Sequence, residues 1–103
     1  MEKRIIGVER IEHELLLGFG MLRELDAVAL IWEELSQDEW GDWCIEWDEF
    51  ISVLGFVLEV AYRSDQTMPE QQVRYRDLQL GLRERMHIIE HLDISVPRVS
   101  LEM

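Results

Sequence analysis

The sequence has one cysteine, two prolines and no long apolar run among its 103 residues. Because Cys44 stands alone, the chain can form neither an internal disulfide nor a cysteine-rich zinc site, and a reducing, cytoplasmic compartment fits. The longest stretch without a charged side chain, residues 50–58, is far shorter than the roughly 20 residues of a membrane-spanning helix. The N-terminal sequence becomes charged again before an apolar segment can form, so we expect no secretory signal.

Basic residues are scarce: 10 lysines and arginines stand against 22 acids, which gives a net charge of −12. The imbalance is uneven, since residues 1–63 hold fifteen acids and five bases. Such a field repels nucleic acids and anionic membranes, and it attracts basic proteins, cationic ligands and metal ions. Direct binding to nucleic acid or to a membrane is therefore not expected.

Apolar residues make up 48% of the chain and charged residues 31%, as in folded globular proteins. The length suits one domain with its own core. The sequence contains no internal repeat and no low-complexity tract. We expect one folded domain, residues 1–103.

Apolar residues recur at alternating steps of three and four, the spacing of one helical face. In the first segment the stripe comprises Val8, Ile11, Leu15, Gly18, Leu22, Leu25, Ala29 and Trp32. It predicts a helix over residues 8–35. Gly18 and Gly20 each cost about 1 kcal/mol in a helix interior, which indicates either a kink or another backbone packed closely against Gly18.

A second helix is predicted over residues 37–62. Ser36 and Glu39 have the spacing of a capping box, in which each side chain bonds the backbone amide of the other residue. Trp40, Trp43, Trp47, Phe50, Leu54, Val57 and Ala61 continue the three-four stripe. Gly41 leaves an alternative in which the helix begins only near Asp48.

A third helix is predicted over residues 68–92, with Thr67 as its cap and Pro69 in its first turn. Apolar and polar side chains alternate in residues 93–103, around Pro97, and this segment is expected to be extended. Short connections between long helices favour antiparallel neighbours, so the predicted fold is all-α: an antiparallel three-helix bundle. Apolar surface left over around the second helix and at Leu16, Phe19 and Ile31 of the first predicts dimerisation into a larger bundle.

His87, Glu90 and His91 match the H-x-x-E-H pattern of inverted zinc peptidases. Histidines four residues apart can share a metal on one helical face. Both histidines, however, lie away from the predicted inner stripe. A solvated helix face is the preferred interpretation.

Two carboxylate pairs, Glu9 with Glu12 and Glu39 with Asp42, are spaced three residues apart on different helices. Paired acids on two helices resemble the arrangement by which all-α nucleotide pyrophosphohydrolases of the MazG type hold magnesium. The resemblance covers these four residues only, and the basic residues that a triphosphate needs are missing nearby. It implies Mg²⁺ as a cofactor and a hydrolase as the alternative function.

The stretch from Trp32 to Phe50 holds all four tryptophans and eight acids, with no lysine or arginine. Aromatic faces and carboxylates both bind guanidinium groups, so this segment would suit an arginine-rich partner. The alternative is a buried stripe of rings beside a solvated acidic face. The predicted partner-binding residues are Glu39, Trp40, Asp42, Trp43, Glu46, Trp47 and Glu49.

Neither His13 nor Cys44 has a pattern that indicates catalysis. His13 is expected at the surface, and Glu46 and Asp48 beside Cys44 would raise its pKa and disfavour a nucleophilic role. No catalytic residue is predicted. The sequence thus favours an acidic homodimer that binds a basic protein as inhibitor, regulator or adaptor, with the hydrolase and a purely structural subunit as alternatives.

Overall fold

The computed structural model describes residues 5–98, which are mostly helical and include no strand. In chain order the elements are α1 (Val8–Ile31), a 3-10 turn (Trp32–Glu34), α2 (Gln37–Val53), a π-helical segment (Leu54–Glu59), α3 (Val60–Arg63), α4 (Pro69–Glu84) and α5 (Met86–Leu92). The prediction of an all-α protein is confirmed. Within the described residues, no helix combines the length and apolar character needed to cross a membrane.

The predicted capping box at the start of α2 is present. The Glu39 amide donates to the Ser36 hydroxyl at 3.1 Å, and the Ser36 amide donates to the Glu39 carboxylate at 3.0 Å. From there α2 runs without a break through Gly41. The alternative start near Asp48 is therefore wrong.

Helical structure continues from α2 through the π-helical segment into α3, so it covers residues 37–63. The predicted second helix ended one residue earlier. The π-helical segment itself was not predicted, because wider i to i+5 hydrogen bonding leaves no distinct residue pattern. Its buried residues Leu54, Val57 and Leu58 belong to the core.

The third predicted helix is wrong in one respect, because it is divided at Arg85 into α4 and α5. The Arg85 side chain donates to the Gly81 carbonyl at 2.9 Å and to both carboxylate oxygens of Asp26 at 2.8 and 2.9 Å. These bonds from Arg85 hold the pKa of Asp26 below its usual range. The described residues therefore form four helical units rather than three.

Both ends of the α4–α5 region also differ in detail from the prediction. Met68 is the capping residue of α4, and its amide donates to the Gln71 side chain at 3.0 Å. Asp93 adopts a left-handed conformation, with φ 55°, and ends α5. After it, Ile94 and Pro97 are buried while Val96 is exposed; Val99 and Leu101 lie outside the described residues.

Helix α1 packs most extensively against α4 and also contacts α2 and the π-helical segment. Gln71, early in α4, donates to the Val8 carbonyl at the start of α1, whereas Arg85 pairs with Asp26 near its end, so these helices run parallel. At Gly18 of α1, an added Cβ would lie 2.9 Å from Leu78 and 3.2 Å from Phe50. Side chains, rather than another backbone, thus pack closest to Gly18, and α1 is helical throughout.

Candidate functional site

A row of carboxylates lies along one exposed face of α2. Glu39, Asp42, Glu46 and Glu49 are all exposed, and their three-four spacing places them on one side of the helix. Glu33, Glu34 and Asp38 add exposed acids before and within the first turn. We call residues 32–49 the acidic end.

No described arginine forms an ion pair with a carboxylate of the acidic end. The sequence itself supplies no basic residue between Arg23 and Arg63. The negative charge of the acidic end is therefore not balanced by arginines among the described residues.

Six rings form a continuous aromatic ladder that starts at this end and runs into the core. Neighbouring ring centroids are 5.4 to 6.1 Å apart in the order His91, Trp32, Trp40, Trp43, Trp47 and Phe50. Trp40, Trp43 and Trp47 are stacked on one another, because three-four spacing on α2 places them one above the next. Such aromatic pairs add to the stability gained from burial alone.

The inner rungs of the ladder belong to the core. Trp47 is fully buried and donates from Nε1 to the Ser95 carbonyl at 2.8 Å, and Trp43 is 8% exposed. A partner cannot reach either ring in this conformation. The prediction that Trp43 and Trp47 form part of a binding surface is therefore corrected: they are core residues, and Trp40 alone of the predicted three is half-exposed.

Trp32 and His91 were missed as members of this site. Trp32 is half-buried, and its ring meets the exposed His91 ring edge-on at 6.0 Å. The sequence pattern places Trp32 on the inner stripe of the first helix and His91 on a solvated face of the third. No sequence signal links them, since their contact joins α5 to a 3-10 turn far away in the chain.

The C-terminal segment is tied to α2 beside the ladder. The Ser95 hydroxyl donates to the Asp48 carboxylate, while the Ser95 carbonyl accepts the Trp47 indole proton. Ile94 packs into the core next to them. These two bonds fix the C-terminal segment to α2.

Two side chains of the acidic end have altered acidity. The backbone and hydroxyl hydrogen bonds with Ser36 lower the pKa of Glu39. Burial, together with the charge of Asp48, raises the pKa of the Cys44 thiol. The expected direction for Cys44 is confirmed, and a raised pKa keeps it in the weakly nucleophilic thiol form.

The two carboxylate pairs of the alternative magnesium site are far apart within one chain. Glu9 and Glu12 lie at the start of α1, whereas Glu39 and Asp42 lie in the first turns of α2, beside the end of α1, on the order of 25 Å away from the helical rise. Glu12 is instead paired with Arg74. Across residues 5–98, no group of three or more histidine, cysteine or acidic side chains is arranged to hold a metal ion.

The H-x-x-E-H residues are solvated, as preferred from the sequence. His87, Glu90 and His91 are all exposed on α5.

No family model, curated protein or solved structure matches this chain.

Proposed function

We propose that the protein binds a basic, arginine-rich protein through its acidic end, and thereby acts as an inhibitor, regulator or adaptor of that partner. The observation that carries this proposal is the combination of half-buried Trp32 and Trp40 with exposed carboxylates that no described arginine neutralises.

The chemistry of the guanidinium group favours arginine over lysine in such a partner. A guanidinium stacks on an indole face and pairs with a carboxylate through two parallel hydrogen bonds. Trp40 and Trp32 offer partly accessible rings at the outer part of the ladder. The buried inner rings of the ladder hold Trp32 and Trp40 in place, so these side chains lose little conformational entropy on binding.

The charge of the acidic end attracts an oppositely charged partner before the two proteins touch. A dense patch of one sign raises the rate at which an oppositely charged partner arrives, and salt screens this effect. A partner surface that otherwise binds nucleic acid carries the complementary charge. Competition with nucleic acid for that surface is the mechanism we propose.

We also propose an overall organisation for the molecule. In it, residues 8–34, 37–63 and 69–92 act as an antiparallel three-helix bundle with α4 and α5 as one member, the C-terminal residues form an extended tail, and two chains dimerise. The parallel course of α1 and α4 and the exposed apolar side chains of α1 support it. A cytoplasmic location completes the proposal, which the single cysteine favours.

The test uses two peptides of equal length and charge, one of arginines and one of lysines. We expect the arginine peptide to bind more tightly, to change the tryptophan fluorescence, and to lose affinity steeply as salt rises. Binding is measured by calorimetry and by fluorescence titration over a salt series. Salt-independent binding would contradict the electrostatic mechanism.

A matched pair of variants locates the binding surface. Asp42→Asn, Glu46→Gln and Glu49→Gln together remove three charges from the acidic end. Asp65→Asn, Asp77→Asn and Glu84→Gln remove three exposed charges elsewhere. We expect the first triple variant alone to weaken binding beyond the general loss of charge; equal effects would overturn the proposed site.

A further inference from the structure

The exposed imidazole of His91 lies against the outer indole of the aromatic ladder. Its ring centroid is 6.0 Å from that of Trp32, and the two ring planes are nearly perpendicular, at 86°. A cation is attracted to an indole when it lies within about 6 Å of the ring centroid. A proton on His91 would therefore place a positive charge at the same ring that the proposed function offers to an arginine.

Histidine is the side chain suited to a charge that depends on pH near neutrality. Imidazole ordinarily gains its proton as the pH falls from about 8 to 5, whereas aspartate, glutamate and arginine side chains remain mostly charged over that range. The chain has three histidines, His13, His87 and His91. Of these, only His91 has a described contact with an aromatic ring.

The backbone holds His91 at this place from both sides. Before it, α5 follows directly on α4, whose end is tied to α1 by the bonds between Arg85 and Asp26. After it, Asp93 ends α5, and Ser95 accepts the indole proton of Trp47. The contact between His91 and Trp32 therefore does not depend on their two side chains alone.

The charged groups on the elements around this contact are mainly acids. In chain order, the acids of the last turns of α1, the 3-10 turn, the first turns of α2, the end of α4, and α5 with its cap are Asp26, Glu33, Glu34, Asp38, Glu39, Asp42, Glu84, Glu90 and Asp93. The bases on these elements are Arg83, Arg85 and His87. Arg85 is already paired with Asp26. His91 is thus the group that can supply a cation directly at Trp32.

We infer that His91 regulates the acidic end as an internal competitor whose charge depends on pH; the inference rests on the proposed function, because it concerns the same site. When His91 is neutral, Trp32 and the carboxylates accept an arginine of the partner. When His91 is protonated, the imidazolium interacts with Trp32 and repels a second cation. Binding is therefore tight above neutral pH and weaker in mild acid.

Tryptophan fluorescence of the free chain tests the contact without a partner. An imidazolium beside an indole quenches the indole emission, so the intensity should fall between about pH 8 and 5.5. His91→Gln should remove this change. His13→Gln and His87→Gln are matched controls at the other two histidines and should keep it. Circular dichroism checks that each variant stays helical.

The arginine peptide then tests the competition at constant ionic strength. Its dissociation constant for the unmodified chain should be about two- to fivefold higher at the lower pH, the size of an exposed cation–π interaction. His91→Gln should remove most of this difference. His87→Gln takes away a histidine one turn earlier on the same helix, exposed and with no described ring contact, and should leave the difference in place.

Three results would overturn the inference: free-chain fluorescence that does not change with pH, a fluorescence or affinity change that persists in His91→Gln, or equal effects of His87→Gln and His91→Gln on binding. A peptide that binds at neither pH would overturn the proposed function and the regulation together. The fluorescence of the free chain would then still show whether the charge of His91 acts on Trp32, so the two failures are distinguishable.

Discussion

The two ends of the molecule use their acidic residues differently. At the end where α1 and α4 begin, some carboxylates are paired with arginines, Glu12 with Arg74 and Glu59 with Arg63 at 3.0 Å, whereas Glu9 and Glu70 are exposed and pair with no described arginine. At the acidic end no such pair exists among the described residues. Paired acids help to hold helices together, whereas unpaired acids repel one another and gain stability only when a cation arrives.

The interiors of the two ends differ as well. The acidic end is filled by stacked tryptophans, of which Trp47 donates its indole proton to Ser95 while Trp43 Nε1 is buried with no hydrogen-bond partner among the described residues. Toward the other end, Tyr75 stacks on Tyr62 at 4.7 Å and accepts a hydrogen bond from Gln79 at 2.7 Å. Burial raises the pKa of Tyr75 to about 12. Beneath the exposed charge the core is thus built mainly of indole rings, whereas toward the other end it includes a hydrogen bond between tyrosine and glutamine.

The largest expected effect comes from removing the buried Trp47 ring of the aromatic ladder. Trp47→Ala deletes a fully buried ring and its hydrogen bond to Ser95, so unfolding free energy should fall by about 3–5 kcal/mol. Urea denaturation measures the loss. Trp47→Phe keeps most of the ring and should lose less; equal losses, or a loss below about 1 kcal/mol in the alanine variant, would show that the ladder does not support this end.

The second-largest expected effect is the difference in stability cost between substitutions at the starts of α2 and α4. Ser36→Ala removes the hydroxyl that caps α2 and should cost about 1 kcal/mol. Thr67→Val, before α4, removes a buried hydroxyl that has no partner and should cost nothing or stabilise the fold. Thermal unfolding of both variants checks the difference. A cost for Thr67→Val equal to that of Ser36→Ala would contradict the capping assignment.

A smaller effect, of opposite sign at the two ends, is expected from neutralising single acids. Glu12→Gln removes the partner of Arg74 and should destabilise by about 0.2–1 kcal/mol, the range of exposed pairs. Glu46→Gln relieves repulsion and should stabilise by up to about 0.5 kcal/mol. Denaturation at low salt resolves the two values. Effects of the same sign would remove the electrostatic distinction between the ends.

The smallest effect concerns pH. Because the Ser36 hydrogen bonds lower the pKa of Glu39 in the folded state, its ionised form stabilises the fold above the ordinary glutamate pKa. That stabilisation is lost as the pH falls through the lowered pKa of Glu39 in the folded state. Glu39→Gln should therefore melt below the unmodified chain at neutral pH and together with it in strong acid. A melting difference that does not change with pH would contradict the assigned bond.

Local sequence patterns were sufficient for the regular elements and for part of the site. The Ser36 cap, the start of α4 at Pro69 and the stripe from Trp40 to Phe50 all depend on residues within four positions of one another. Helical hydrogen bonds and three-four contacts act over the same range. The exposed carboxylates of α2 follow from the same periodicity.

Other features depend on residues far apart in the chain, and no local pattern encodes them. The break at Arg85 coincides with a pair to Asp26, 59 residues away, and the tail docks through Trp47 and Ser95, 48 residues apart. The same holds for the His91–Trp32 contact.

The sequence by itself determined that this is an all-α protein with an acidic end, because helix formation and charge are set residue by residue. Only the tertiary structure decided which rings are buried, that Glu9 and Glu12 lie far from Glu39 and Asp42, and which face of α1 stays open. These outcomes follow from how the helices pack, since burial of the larger apolar face of each helix fixes what remains at the surface.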